Sequence, residues 1–410
     1  MTVMTPTRQT PAEPQSVSGN RLLVLVPDYL SHIVKKGELQ PRYYNPGEVF
    51  DEVHILTTTP DRPDPAALQG MVGKARLFLH NLPEDERMAT RPWRWFDNLL
   101  LRRWAQPGVD LARRIRPGLI RCHSADWNSY LASRIKAALG TPYVVSLHIN
   151  ADVNPTRRFQ DNPLDRMQKR SNALFEEIER EALSHADLVM PVYQPIIPYL
   201  DRMGVRNYEV CYNVLNGDHL RKKDDYGIGQ RFRVLSVGRL FEAKYPDNLI
   251  RAVAAQPNCF LTIVGDGPAR PALERLVREL NVADRVDFRP AIVNDELCAL
   301  LPTYDAFAIH SEYWEINKSL LEALLSGLPC VINRRRGLPV PELEGDFILK
   351  VDNTVQGYAN ALQRLSTDHG FREALGRRAF DHAQRHWAPE VTEARYATIY
   401  RSMLGAGRVA

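Results

Sequence analysis

Two cations and two carboxylates in the second half of this 410-residue chain are spaced to do phosphate and sugar chemistry. Arg239 and Lys244 follow the apolar run 234–237, with Gly238 letting the backbone turn before them. A guanidinium offers a bidentate fork to phosphate oxygens, and an ammonium acts as a point charge. At the carboxyl edge of a sheet the pair makes a diphosphate clamp; the plainer alternative is two solvated surface cations. Further on, Glu315 and Glu322 bracket Lys318 within the window 312–331. There Leu320, Leu321, Leu324 and Leu325 recur at helical spacing, and Gly327 with Pro329 marks the stop. The window thus reads as the crossover from a strand at 306–310, through a polar loop and a helix, to a strand at 329–333. Open α/β sheets bind ligands at such strand ends, and a helix N-terminus favours anions. The two carboxylates can accept hydrogen bonds from a polyhydroxylated ligand while Lys318 attracts its phosphates. Read plainly, Glu315 only matches the helix dipole and Glu322 is solvated.

Three other stretches carry chemistry. Residues 264–268, Val-Gly-Asp-Gly-Pro, look superficially like a dinucleotide fingerprint, but Arg270 stands where the third glycine belongs. That excludes a nicotinamide enzyme and leaves a tight loop over a nucleotide cleft. Arg334, Arg335 and Arg336 follow the strand at 329–333, so they either contact a donor phosphate or anionic acceptor, or form a solvated charge run. His123 and His148 each follow a strand on what should be the same edge of one sheet. A lone histidine in such a place is usually structural; two on one edge favour function.

The elements that must position these residues alternate. In the first half, strands fall at 21–26, 53–57, 119–122, 143–147, 188–191 and 208–212, and helices at 109–116, 127–139, 164–184 and 196–203. Residues 216–230 hold Gly217, Gly227, Gly229 and a charge run, the composition of an interdomain linker. The alternation then restarts, with strands at 233–237, 259–264 and 286–288 and helices at 246–255, 270–280 and 295–301. Three helices close the chain at 357–365, 371–386 and 389–404. Two such series predict an α/β protein of two doubly wound, Rossmann-like domains facing across a cleft. The boundaries read as a disordered tail 1–19, a domain 20–215, a domain 226–386, and a last helix, 387–405, crossing back to the first domain.

Hydrophobic residues at 44% and charged residues at 25% are ordinary for a globular protein, and a net charge of +4 does not imply nucleic acid. The five cysteines (122, 211, 259, 298, 330) form no CxxC pair and read as reduced core thiols of a cytoplasmic protein. No run of 18 apolar residues spans a membrane, and the Thr/Pro/Gln/Ser-rich start has no signal-peptide core. Trp93, Phe96, Leu100 and Trp104 share one helical face, with Arg94, Asp97, Arg102 and Arg103 off it. That segment, 93–104, either packs on the core or lies on an anionic membrane surface as a peripheral contact.

Taken together, Val237-Gly238-Arg239-Leu240 with Lys244, Gly265-Asp266-Gly267-Pro268, and Glu322-Ala323 with Gly327 and Pro329 resemble the GT-B nucleotide-sugar glycosyltransferases of the large retaining family 4. The resemblance is strongest over 231–350. In the first half, Ser146-Leu147-His148 with Asp152 is similar to the family's His-Gly-x-x-Asp segment, and Tyr212-Asn213 to its strand-end asparagine. The final helix, with Trp387, Glu393 and Tyr400, looks like the one that returns to the first domain.

The resemblance implies that Arg239 and Lys244 stabilise charge on a departing nucleoside diphosphate, the electrostatic preorganisation that usually dominates catalysis. Glu322 would hold the ribose, and His148 and Glu315 the donor sugar. Gly238, Gly265, Gly267, Asn317, Lys318 and Ser319 would line the donor site, and Asp152, His123 and Arg335 the acceptor or phosphate side. No metal or other cofactor is implied, in keeping with the lack of a strand-end DxD. The implied partners are a nucleotide-sugar donor and a glycan or lipid-linked glycan acceptor, in polysaccharide or cell-envelope synthesis.

Two features depart from the family. Its paired glutamates lie eight positions apart, but eight before Glu322 stands Trp314, and Glu315 is seven before. The glycine-rich loop after the first strand is replaced by the bulky, basic 29–37. The alternatives on the same architecture are a nucleotide-sugar 2-epimerase, which needs no acceptor, and a binding-only protein.

Overall fold

A computed structural model describes residues 20–84, 97–153, 166–312, 315–337 and 339–406. The expected tail 1–19, the start of the aromatic segment at 93–96, and Trp314 lie outside the described residues. The first sheet contains β1 Arg21–Val26, β2 Glu52–Thr57, β3 Arg76–Asn81, β4 Leu119–His123, β5 Tyr143–Leu147 and β6 Leu188–Pro191. The second contains β7 Phe232–Val237, β8 Cys259–Val264, β9 Val286–Arg289, β10 Ala306–Ile309, β11 Cys330–Asn333 and β12 Leu349–Val351. Around the first lie α1 Leu30–Lys35, α2 Pro65–Leu68, α3 Asp97–Ile115, α4 Trp127–Leu139, α5 Arg166–Ser184 and α6 Ile197–Arg202. Around the second lie α7 Asp247–Ala254, α8 Arg270–Glu279, α9 Asn294–Leu300, α10 Lys318–Leu325, α11 Val355–Thr367 and α12 His369–Trp387.

Every pairing between these strands is parallel, and the two sheets share one topology, β3-β2-β1-β4-β5-β6 and β9-β8-β7-β10-β11-β12. Central strands such as β1 and β5 are nearly all apolar because helices cover both faces. In each sheet the strand order reverses between the first and fourth strands, opening a crevice beyond their carboxyl ends. The residues after β1 and β4, and after β7 and β10, are thereby set to form the site.

The last helix, α13 Pro389–Ala406, leaves the second domain and packs on the first. Glu393 takes a bidentate grip from Arg42 at 2.6 and 2.8 Å, and Tyr396 donates to the Cys211 carbonyl at 3.1 Å.

Several expectations need correction. β3 and β12 are absent from the expected strands; both are edge strands, and only one described residue of the two, Val351, is buried. The expected strand 208–212 is not one. Glu209 and Cys211 donate to Val189 and Pro191, but Pro191 has no N–H to continue the ladder, leaving one bridge at Tyr208. The linker is not loose throughout. Lys223 donates from its backbone to Ser326 and from its ammonium to Pro302, and Tyr226 donates to Gly327. The helix expected to contain Glu315 starts only at Lys318, so Glu315 stands in the preceding loop.

Candidate active site

The second sheet's crevice is built by two interlocked loops. Gly265 and Gly267 hold φ of +143° and +155°, and a Cβ on either would meet the Gly238 or Leu240 carbonyl oxygen at 2.0 or 2.1 Å. Only glycine lets the loop after β8 close on the loop after β7, where Leu240 N–H donates to Asp266 O at 2.9 Å. The third-glycine substitute, Arg270, instead bridges Asp266 and Glu274 at 2.5 and 2.8 Å.

These loops present the two cations differently. Arg239 is exposed, its guanidinium 5.4 Å from the Phe241 ring centroid. Lys244 is buried and its ammonium lies 2.5 Å from Glu315 Oε1. Burial pulls the Lys244 pKa down, and Glu315 opposes that shift. Arg335 donates to the Glu315 carbonyl at 3.0 Å, and burial lowers its pKa to about 10. Lys244, Glu315 and Arg335 thus converge from the loops after β7, β10 and β11.

A buried histidine that carries no obvious motif fixes this convergence. His310, directly after β10, accepts the Tyr245 N–H at Nδ1, 3.0 Å away, so its neutral ring carries the proton on Nε2. Glu312 N–H donates to Ala243 O at 2.8 Å, and Asn333 donates to Glu312 at 2.9 Å. The signal was available, because His310 ends a strand just as His123 and His148 do.

Helix α10 supplies the rest of this wall. Asn317 is its N-cap residue but makes no capping bond, and its buried Oδ1 has no hydrogen-bond partner. Lys318 Nζ also lacks a hydrogen bond and lies 3.8 Å from Glu322 Oε1. Ser319 donates to Val237 O at 3.2 Å, tying the helix to β7. Glu322 is buried, not solvated, and burial raises its pKa against the pull of Lys318 and Asn294. Asn294 donates to Glu322 at 2.8 Å and accepts from His219 Nδ1 at 2.9 Å, while Asn216 donates to His219 Nε2. Asn216 also donates to Leu39 O, so one hydrogen-bonded path runs from the first domain to Glu322. Sequence reasoning gave no sign of Asn294 or His219.

The opposing wall comes from the first sheet's crevice. His123 and His148 stack at 5.4 Å with their planes 15° apart, and each has a buried Nε2 without a hydrogen-bond partner. Burial, then the nearby Arg121, holds His148 down to about 4; His123 is likewise pushed well below its usual value. Both rings are therefore neutral near neutral pH. Arg121 is buried against the faces of Tyr43, Tyr44 and Tyr396 and donates to Tyr43 O at 2.5 Å. A cavity of about 300 Å³ lies between the walls, with Asp28, His123 and His148 on one side and Ile316, Lys318 and Leu321 on the other. Asp152 is not part of its lining: Arg202 holds that carboxylate bidentately at 2.6 and 2.7 Å.

Part of the segment read as either core-packed or membrane-facing is tied into the first domain. Trp104 donates to Pro83 O at 2.9 Å and packs edge-on to Trp127, whereas Leu99 is exposed. Among the described residues no helix is long and apolar enough to cross a membrane.

This two-walled cleft defines a class. Residues 219–382 match the glycosyl transferases group 1 family, and residues 49–214 match the glycosyl transferase 4-like domain. The chain belongs to the GT-B glycosyltransferases of group 1, family 4. N-acetyl-alpha-D-glucosaminyl L-malate synthase of Bacillus anthracis is 28% identical over 229 residues, 54% of this chain and 59% of that protein. The lipopolysaccharide core biosynthesis glycosyltransferase LpsE of Rhizobium meliloti is 32% identical over 149 residues, 36% of this chain. The matches thus span 59% and 43% of those relatives. In fold, Anabaena HepE in complex with UDP superposes with a TM-score of 0.68 at 17% identity, covering 93% of this chain and all of that one.

Proposed function

We propose that the protein is a retaining, metal-independent glycosyltransferase. It would move a sugar from a nucleotide-diphosphate donor to a glycan or lipid-linked glycan in polysaccharide or cell-envelope synthesis. The observation that carries this reading is that Arg239 and Lys244 share one pocket with Asn317, while the next residue, Lys318, lines the larger cavity opposite a pair of neutral histidines. The diphosphate lies against Arg239, Lys244 and the first turn of α10, where Lys318 Nζ still lacks a hydrogen bond. Glu322 accepts from the ribose, and the sugar faces His148.

Charge balance follows from these roles. As the bond from the anomeric carbon to the phosphate oxygen breaks, negative charge grows on the diphosphate beside fixed cations, which need no reorganisation. An acceptor hydroxyl forms its bond on the same face of the sugar and passes its proton to the departing phosphate oxygen. The neutral His148 puts no positive charge against an oxocarbenium-like carbon, and its unpartnered Nε2 is available to a sugar hydroxyl.

The structural neighbour bound to UDP suggests where a donor panel should begin. Melting temperatures of the chain with UDP-, GDP- and ADP-sugars, all with EDTA present, should rise for one donor and scale with its concentration. Product analysis should then show the anomeric configuration of the donor retained. Binding without turnover in the presence of acceptor glycans would reject catalysis, inversion would reject the same-face displacement, and a requirement for added metal would reject metal independence.

A further inference from the structure

A smaller cavity of about 180 Å³ adjoins the first on the N-terminal wall, sharing Asp28, Ser124 and Ile149 with it. Its remaining acidic lining is Asp126 and Glu179, and no lysine or arginine is among its described lining residues. Asp28 follows β1 and Asp126 caps α4 just after β4, so the strand-order reversal itself brings the two carboxylates together. Asp126 accepts from Trp127 N–H at 2.9 Å, and Glu179 accepts from Tyr199 at 2.8 Å. The Asp28 carboxylate takes no hydrogen bond among the described residues. Asp28 faces open space yet sits deep enough that burial, then Asp126, raises its pKa, with Lys36 opposing.

A second observation points independently to a ligand. His123, only 5% exposed, is a lining residue of the adjoining cavity, and its buried Nε2 has no hydrogen-bond partner. A buried polar atom without a partner carries a desolvation penalty that a ligand hydroxyl would remove. Ser124, which faces both cavities, is held at φ +64°, where side chains other than glycine are uncommon.

We infer that these joined cavities form the acceptor subsite and select a polyhydroxylated acceptor carrying an ammonium group, which enters between Asp28 and Asp126 while a hydroxyl reaches His123. This rests on the glycosyltransferase reading above and names its acceptor class. The cleft is then bipolar, with cations on the donor wall and carboxylates on the acceptor wall. Lys36 near Asp28, the buried Arg121, and Arg202 over the Tyr199 ring are cations on this wall, and none of the three is among the described lining residues of the smaller cavity. A phosphate-bearing acceptor would meet like charge there.

The test uses one ring with three substituents: scyllo-inosamine (ammonium), scyllo-inositol (hydroxyl) and scyllo-inositol phosphate. Each is titrated by calorimetry into the full chain saturated with UDP, at near-neutral pH. The inosamine should bind about tenfold or more tighter than scyllo-inositol, and the phosphate weakest. Asp28→Asn should remove most of that preference while leaving the UDP affinity in place, which shows that the variant is folded. Equal binding of inosamine and inositol, tightest binding of the phosphate, binding of none, or an unchanged preference in Asp28→Asn would each overturn the proposal. Failure of UDP to bind bears on the donor nucleotide alone; the same three titrations without UDP then decide the acceptor pocket.

Discussion

Lys244 Nζ and Glu315 Oε1 stand 2.5 Å apart in a largely buried pair, so a carboxylate occupies the cation proposed to meet the donor diphosphate. Glu315→Gln should therefore keep or improve affinity for free UDP while reducing discrimination among UDP-sugars. Calorimetry with UDP and several UDP-sugars reads both. Equal losses for nucleotide and nucleotide-sugar would refute a sugar-facing role for Glu315.

Arg239 and Lys244 should differ in how their loss is felt. Removing a preorganised charge partner typically lowers kcat by about 10²–10³. Arg239→Ala should show such a loss with an unchanged melting temperature, because the side chain is exposed. Lys244→Ala should lose turnover and also stability, since it leaves Glu315 without its cation. Wild-type rates in either variant would remove the clamp.

Gly265→Ala and Gly267→Ala each place a Cβ about 2 Å from a backbone carbonyl oxygen. Both should destabilise by about 3 kcal/mol or more and weaken donor binding, because the loop carrying Arg239 must move. Denaturant melts and UDP titrations measure the two effects, and a neutral result at either glycine would contradict the interlock.

Acidification should destabilise the fold through His148. Its folded pKa is about 4 against an ordinary 6.5, so between those values the unfolded chain binds more protons and stability rises with pH. The contribution is lost as pH falls from 6.5 toward 4, with a slope of at most about 1.4 kcal/mol per pH unit. Urea melts across that window should show a shallower pH slope for His148→Gln than for wild type. Parallel slopes would mean that His148 is not held neutral.

The segment around Trp104 separates packing from membrane contact. Trp104→Ala should cost about 2 kcal/mol, since the indole is half-buried and hydrogen-bonded. If the segment also meets anionic lipid, Arg103→Glu should reduce sedimentation with phosphatidylglycerol vesicles. A wild-type chain that never sediments with them ends the membrane reading.

The sequence was most legible where burial alone dictates pattern. The apolar runs at β1, β5 and β8 and the Leu320–Leu325 spacing predict their elements closely, because parallel strands and helix faces must be apolar. β3 escaped because its apolar run, Leu77-Phe78-Leu79, is short, and an edge strand needs no longer one. The stretch 208–212 reads as a strand by composition, but its ladder depends on a proline in another segment.

Residue types and spacing by themselves determined the doubly wound class, the family, and the short motifs proposed to carry the phosphate chemistry. Those signals are local, since periodicity encodes which face is buried and glycine encodes where the backbone must approach closely. Tertiary structure alone decided who meets whom. Lys244 and Glu315 are far apart in the chain, as are Asp28 and Asp126, and a periodic pattern names no partner. They converge because the strand order sets β1 beside β4 and β7 beside β10, and that adjacency is a property of the assembled sheet.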